Sequence, residues 1–142
     1  MFQLAYTSKA NQDFLIEELT ELSNEAGFRN RAIDVTGVLV YHDRAFLQFL
    51  EGNEQVIREL YKRISQDSRH TDCKIIYSQK ADTRLFSNWF TRYLSFEYIK
   101  EITDAELAED IEELLTRKIK NKDEISRIVN KFTSVISSHQ SD

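Results

Sequence analysis

The order of apolar patterns along the chain predicts an α+β fold of ferredoxin-like type. The expected order is β-α-β-β-α-β-β, a mixed sheet with two helices on one face and a C-terminal helical cap on the other. Three observations carry this. The stretch 34–52 reads as two apolar strands, Val35–Tyr41 and Ala45–Leu50, joined by a tight polar turn at His42, Asp43 and Arg44. Helix-period patterns stand on either side of it. The second of these strands is apolar on both faces, with Phe46 and Leu50 on one and Leu47 and Phe49 on the other, so a second layer is required.

Taken in order, Phe2, Leu4 and Tyr6 alternate with Gln3, Ala5 and Thr7, the period of a first strand. Asn11 is placed to cap a helix carrying Leu15, Leu19, Leu22 and Ala26 on one face and ending at Gly27. A polar link, Arg29-Asn30-Arg31, leads into the hairpin. After Gly52, Asn53 caps a second helix with Val56, Leu60, Tyr61 and Ile64 as its apolar stripe. A polar loop, Gln66–His70, precedes a fourth strand over Cys73–Ser78. A short helical turn at Thr83–Ser87 leads to a fifth strand over Trp89–Phe96.

The break at 97–103 is the one candidate boundary, dividing a core of 1–97 from a cap and tail of 98–142. Thr103-Asp-Ala-Glu106 has the form of a capping box, followed by Leu107, Ile111, Leu114, Leu115 and Ile119. A further break near Asn121-Lys122 precedes an amphipathic helix with Ile125, Ile128, Val129, Phe132, Val135 and Ile136. Ser137–Asp142 reads as a frayed tail.

The 142 residues suit one domain with a proper core. A net charge of -5, with no cluster of Lys or Arg, argues against nucleic acid as a partner. The single cysteine, Cys73, excludes an intramolecular disulfide and a cysteine-built metal site. No apolar run reaches membrane-span length and no secretory pattern opens the chain, so a cytoplasmic protein is expected. The three glycines have no phosphate-cradling spacing and no nucleophile elbow appears, so an enzyme is not expected.

One polar residue stands out. Gln48 sits between Leu47 and Phe49, and burying an unpaired amide costs roughly 1–3 kcal/mol. In a split β-α-β arrangement its strand adjoins the one carrying Tyr6. Such a pair is either a core hydrogen bond or part of a site for a redox-active ring, with the phenol as electron donor and the amide as a two-ended partner.

These residues resemble the BLUF family of flavin-binding blue-light sensors over about residues 1–97. The matching pieces are Leu-Ala-Tyr6-Thr-Ser, Asn30 ahead of Val-Thr-Gly-Val-Leu, Phe46-Leu-Gln48-Phe-Leu-Glu-Gly, Ile64 followed by Asp67-Ser-Arg69-His70, and Phe86-Ser-Asn-Trp89. The resemblance implies a non-covalent FAD between the two helices on one sheet face. It implies that Tyr6 donates an electron and a proton, that Gln48 is the switch, and that Trp89 is a further photochemical residue. Asn30 would hold the ring's carbonyl and imide edge, and Leu22 and Ile64 would sandwich the ring near Phe46. Arg69 and His70 would contact the ribityl-phosphate side or the ring edge, supported by Asp67.

One departure is Thr91, where the family usually has methionine. The resemblance further implies a photoreceptor signalling through a downstream protein effector, and the apolar cap helices lead to the expectation of a homo-oligomer. The alternative is a ferredoxin-like interaction module whose photocycle is impaired or lost.

Overall fold

The computed structural model describes residues 1–140. Its elements are β1 (Phe2–Ala10), α1 (Ile16–Ala32), β2 (Thr36–His42), β3 (Ala45–Gly52), α2 (Glu54–Ser65), β4 (His70–Lys80), β5 (Arg92–Ser95), α3 (Phe96–Ile102), α4 (Ala105–Leu115) and α5 (Lys122–Ser137). The sheet order is β4-β1-β3-β2-β5, antiparallel except for the parallel β2–β5 pair. The mixed sheet with two layers of helices is the expected α+β, ferredoxin-like architecture.

Side-chain alternation sorts the two layers. Phe2, Leu4, Tyr6 and Leu50 pack with Ile57 and Leu60 of α2, and Phe46 and Leu39 pack with Leu19 of α1. The opposite face, with Ala5, Val38, Val40, Leu47 and Phe49, is covered by Leu107 and Ile111 of α4 and Ile128 and Phe132 of α5. The two-faced β3 is therefore covered on both sides, and all eight of its residues are buried.

Local signals hold where a short-range interaction decides. The β2–β3 turn has positive φ at both Asp43 and Arg44, as a two-residue hairpin matching strand twist requires. Asn53 caps α2 by accepting from the Val56 N–H, and Asn121 caps α5 by accepting from Glu124. Gly37 lies so close to β3 that an added Cβ would stand 1.9 Å from the Phe49 carbonyl oxygen.

Several boundaries differ from expectation. The first helix starts at Ile16, where Glu18 accepts from the Leu15 N–H at 2.9 Å. Asn11 instead donates its side-chain amide to the Ser68 carbonyl, tying the end of β1 to the loop before β4. The helix also runs through Gly27 to Ala32, which puts Asn30 on the helix and not in a link. A mid-helix glycine costs only about 1 kcal/mol relative to alanine, and the buried Asn30 beyond it makes tertiary contacts that offset this. The fourth strand extends to His70–Lys80 because β1 pairs along nearly all of it.

No helix forms at Thr83–Ser87. The Glu51 carboxylate accepts from the backbone N–H groups of Leu85 and Phe86, at 2.8 and 2.5 Å, and satisfies them without a helical turn. The fifth strand is only Arg92–Ser95, so Trp89 lies in the loop before it. The expected break at 97–103 is filled by α3, capped by Ser95 accepting from Tyr98. Thr103 ends that helix, and Asp104 caps α4 by accepting from Leu107. The tail is not frayed as far as it is described. Gln140 donates to the Leu85 carbonyl at 2.6 Å and accepts from Asn88 N–H at 3.2 Å, while residues 141–142 lie outside the described part.

Candidate functional site

Under α1 and α2, at the centre of the sheet, lies a cavity of about 150 Å³. Tyr6, Phe46, Gln48 and Leu39 come from the sheet, Leu22 from α1 and Ile64 from α2. Asp67 and Arg69 close it from the loop before β4, and His70 from the first position of that strand. An apolar pocket with a few placed polar groups is the usual form of a small-molecule site.

Tyr6 and Gln48 are direct partners in the β1–β3 ladder. The Tyr6 hydroxyl donates to Gln48 Oε1 at 2.6 Å. Tyr6 is 3% exposed, and burial pushes its phenol well above the ordinary tyrosine range, so it stays protonated and able to donate. Two other rings face it: Tyr61, with centroids 5.4 Å apart, and His70, at 6.2 Å.

His70 is held at both ring nitrogens. Nε2 lies 2.6 Å from the Ile64 carbonyl, which only accepts, so Nε2 carries a proton. In the neutral ring Nδ1 then accepts from the Ser8 hydroxyl at 2.8 Å. Arg69 forks onto Asp67 at 2.9 and 2.6 Å and stands 3.8 Å from Glu25. The hydrogen bond from Arg69 holds the Asp67 carboxyl down at about 2, against the raising effect of partial burial.

Two expected residues lie off the cavity wall. Asn30 is 1% exposed and donates Nδ2 to the Phe90 carbonyl at 3.3 Å and to Thr91 Oγ1 at 2.7 Å, while its Oδ1 has no protein partner. Trp89 is buried in the cap-side core, stacked on Phe86 at 5.9 Å with Arg92 over its ring.

Sequence reasoning missed Glu25, Ala26 and Arg29, which follow Leu22 at helical spacing on the same face of α1, and Arg63 beside Ile64. The three- and four-residue spacing from Leu22 is a signal that would have found the first three. It also missed Leu39, the β2 partner of Gln48.

The fold and this pocket define a ferredoxin-like ligand-binding domain with a buried phenol–amide pair on its floor. A family model described as "BLUF: Sensors of blue-light using FAD" matches residues 1–92, and the chain belongs to that family, a blue-light photoreceptor with FAD as its cofactor.

The chain is 34% identical over 83 residues to the blue light- and temperature-regulated antirepressor BluF of Escherichia coli (strain K12), covering 58% of this chain and 21% of that protein. It is 28% identical over 132 residues to the photoactivated adenylate cyclase subunit beta of Euglena gracilis, covering 93% of this chain and 14% of that one. The chain thus spans about a fifth or less of these relatives. Among solved structures, BlrB, a BLUF protein in its dark state, shares the fold with a TM-score of 0.80 at 20% identity, over 97% of this chain and 96% of that one. A bacterial light-regulated adenylyl cyclase gives a TM-score of 0.65 at 27% identity, over 92% of this chain and 36% of that one.

The residues fit such a cofactor. Leu22 and Ile64 supply apolar walls and Gln48 a polar floor. The buried, unpartnered Oδ1 of Asn30 is an acceptor of the kind a ring imide N–H would satisfy. Arg29 and Arg63, which have no ion-pair partner among the described residues, add positive charge suited to a cofactor carrying a diphosphate.

Proposed function

We propose that Tyr6 is the electron and proton donor of this photoreceptor and Gln48 its hydrogen-bond switch. Leu22, Asn30, Phe46, Ile64, Asp67, Arg69 and His70 hold the cofactor, and Trp89 serves in the output. Residues 1–97 form the sensor core, and 98–142 form the cap and tail that pass the signal to a partner protein. The observation that carries this reading is the 2.6 Å bond from the Tyr6 hydroxyl to Gln48 Oε1 at the cavity floor.

Bound FAD supplies a ring that, excited by blue light, accepts an electron. A phenol that loses an electron becomes strongly acidic, and Gln48 Oε1 is the group positioned to take its proton. The Gln48 amide has donors at one end and acceptors at the other. Rotation or tautomerisation therefore exchanges donor for acceptor at a fixed neighbour without moving β3. A change of about 1 kcal/mol in hydrogen bonding biases a nearly balanced equilibrium several-fold.

The chain is read as a sensor with no enzymatic activity of its own, resident in the cytoplasm. Self-association is part of the reading, supported by exposed apolar side chains at Leu15, Ile16 and Phe28 along α1. The names of the relatives, an antirepressor and photoactivated cyclases, support coupling of such a sensor to an effector.

A dark-minus-light absorption spectrum of the purified chain with FAD is the test. The expected result is a reversible red shift of the flavin band. Colourless protein, or bleaching without recovery, overturns the reading.

A further inference from the structure

Thr91 takes part in a set of hydrogen bonds with only one consistent orientation. The Phe90 carbonyl can only accept, so the end of the Asn30 amide facing it, at 3.3 Å, is Nδ2. Thr91 Oγ1 stands 2.7 Å from the same Nδ2. Its hydroxyl proton goes to the Phe90 carbonyl, which leaves an Oγ1 lone pair to accept from Asn30. A methionine at this position would offer only a weak thioether acceptor. With Nδ2 engaged twice, the amide has one end left, and that end is the buried, unpartnered Oδ1.

The same residues anchor the start of β5. The Trp89 carbonyl accepts from Gly37 N–H at 2.9 Å, Arg31 covers the Phe90 ring at 4.4 Å, and Arg92 pairs with Val38 of β2. β5 then runs directly into α3.

We infer that Thr91 is a positioning residue: with its proton committed to the Phe90 carbonyl, its hydroxyl joins that carbonyl in holding the Nδ2 end of the Asn30 amide, leaves Oδ1 as the free end, and ties the amide to the residues just before β5. The cofactor half of this rests on the proposed role of Asn30, whereas the amide orientation stands on the protein alone. In the wild type, any donor that engages Asn30 Oδ1 is linked through one side chain to the strand that leads to the cap.

The test uses the full chain as wild type, Thr91→Ser and Thr91→Val, first without flavin and then titrated with FAD. In the flavin-free protein the side-chain NH₂ resonances of Asn30 report the bond directly. Thr91→Ser is expected to keep them, and Thr91→Val, of equal shape but without the hydroxyl, to move them toward unbonded values. With FAD, Thr91→Val is expected to bind about fivefold more weakly, because the Asn30 amide is no longer held in its binding orientation beforehand, and Thr91→Ser to match the wild type. Unchanged Asn30 resonances in Thr91→Val overturn the inference. So does a serine variant that behaves like the valine one, which would assign the effect to the methyl group. Colourless wild type would sink the cofactor reading while the resonances still decide the pairing of Asn30 with Thr91.

Discussion

Tyr6 and Gln48 occupy the same rung of the β1–β3 ladder, and the hydrogen bond between their side chains crosses from one strand to the other at 2.6 Å. Each is the other's buried partner, so truncating one leaves the other unsatisfied. Gln48→Leu removes the phenol's acceptor, at a cost of about 1–3 kcal/mol. The variant is expected to bind FAD, melt at a lower temperature and show no light-induced red shift. Absorption difference spectra and thermal melts check this.

Glu51 lies three residues further along β3 on the cap side, fully buried, and its carboxylate accepts from Leu85 N–H, Phe86 N–H and the Thr36 hydroxyl. Arg84 closes the cluster through Thr36 Oγ1 and the Glu51 carbonyl. Glu51→Ala would strand two backbone donors in the core and is expected to destabilise the fold by about 3 kcal/mol. Because those donors hold the loop that carries Trp89, tryptophan fluorescence should shift along with the urea midpoint.

Arg117, between α4 and α5, reaches β1 through Thr7 Oγ1 at 3.2 Å and the Thr7 carbonyl at 3.1 Å, and pairs with the Asp72 carboxylate at 2.7 Å. Thr7 follows Tyr6 directly, in the stretch where β1 slips register against β4. Arg117→Ala is expected to loosen the cap and raise hydrogen exchange in the α4–α5 link and in β1 around Thr7, at a cost of about 1–3 kcal/mol. Exchange measured by mass spectrometry on flavin-free protein checks it.

The buried phenols set the alkaline limit of stability. Burial raises Tyr6 above its ordinary value near 10 and pushes Tyr77 up to about 12. The folded state thus favours the protonated phenols. Their contribution is fully present below about pH 10 and is lost above it, where the unfolded chain ionises first. Unfolding midpoints should fall between about pH 10 and 12, and less steeply in Tyr6→Phe.

Much of the site was legible because its residues lie on elements with strong local periodicity. Tyr6, Phe46 and Gln48 share one face by strand alternation, and Leu22 and Ile64 sit on helix stripes. Asn30 was harder. Gly27 and the polar Arg29-Asn30-Arg31 look like a helix end, and the hydrogen bonds that hold the Asn30 side chain come from residues 90–91, sixty positions later in the sequence. The loop 83–89 was misread for the same reason, since the carboxylate that organises it comes from β3.

The sequence by itself determined the order of the five strands and of helices α1, α2, α4 and α5, the two-faced β3, the pairing of Tyr6 with Gln48 and the resemblance to flavin-based light sensors. These follow from period-2 and period-3.6 patterns and from motifs contiguous in the chain. The tertiary structure alone decided the direction of the Asn30 amide, the placement of Trp89 in the cap-side core and the grip of Arg117 and Gln140 on the sensor. Each of these depends on which distant donor meets which acceptor, and a hydrogen bond of about 1 kcal/mol between remote residues leaves no trace in local sequence pattern.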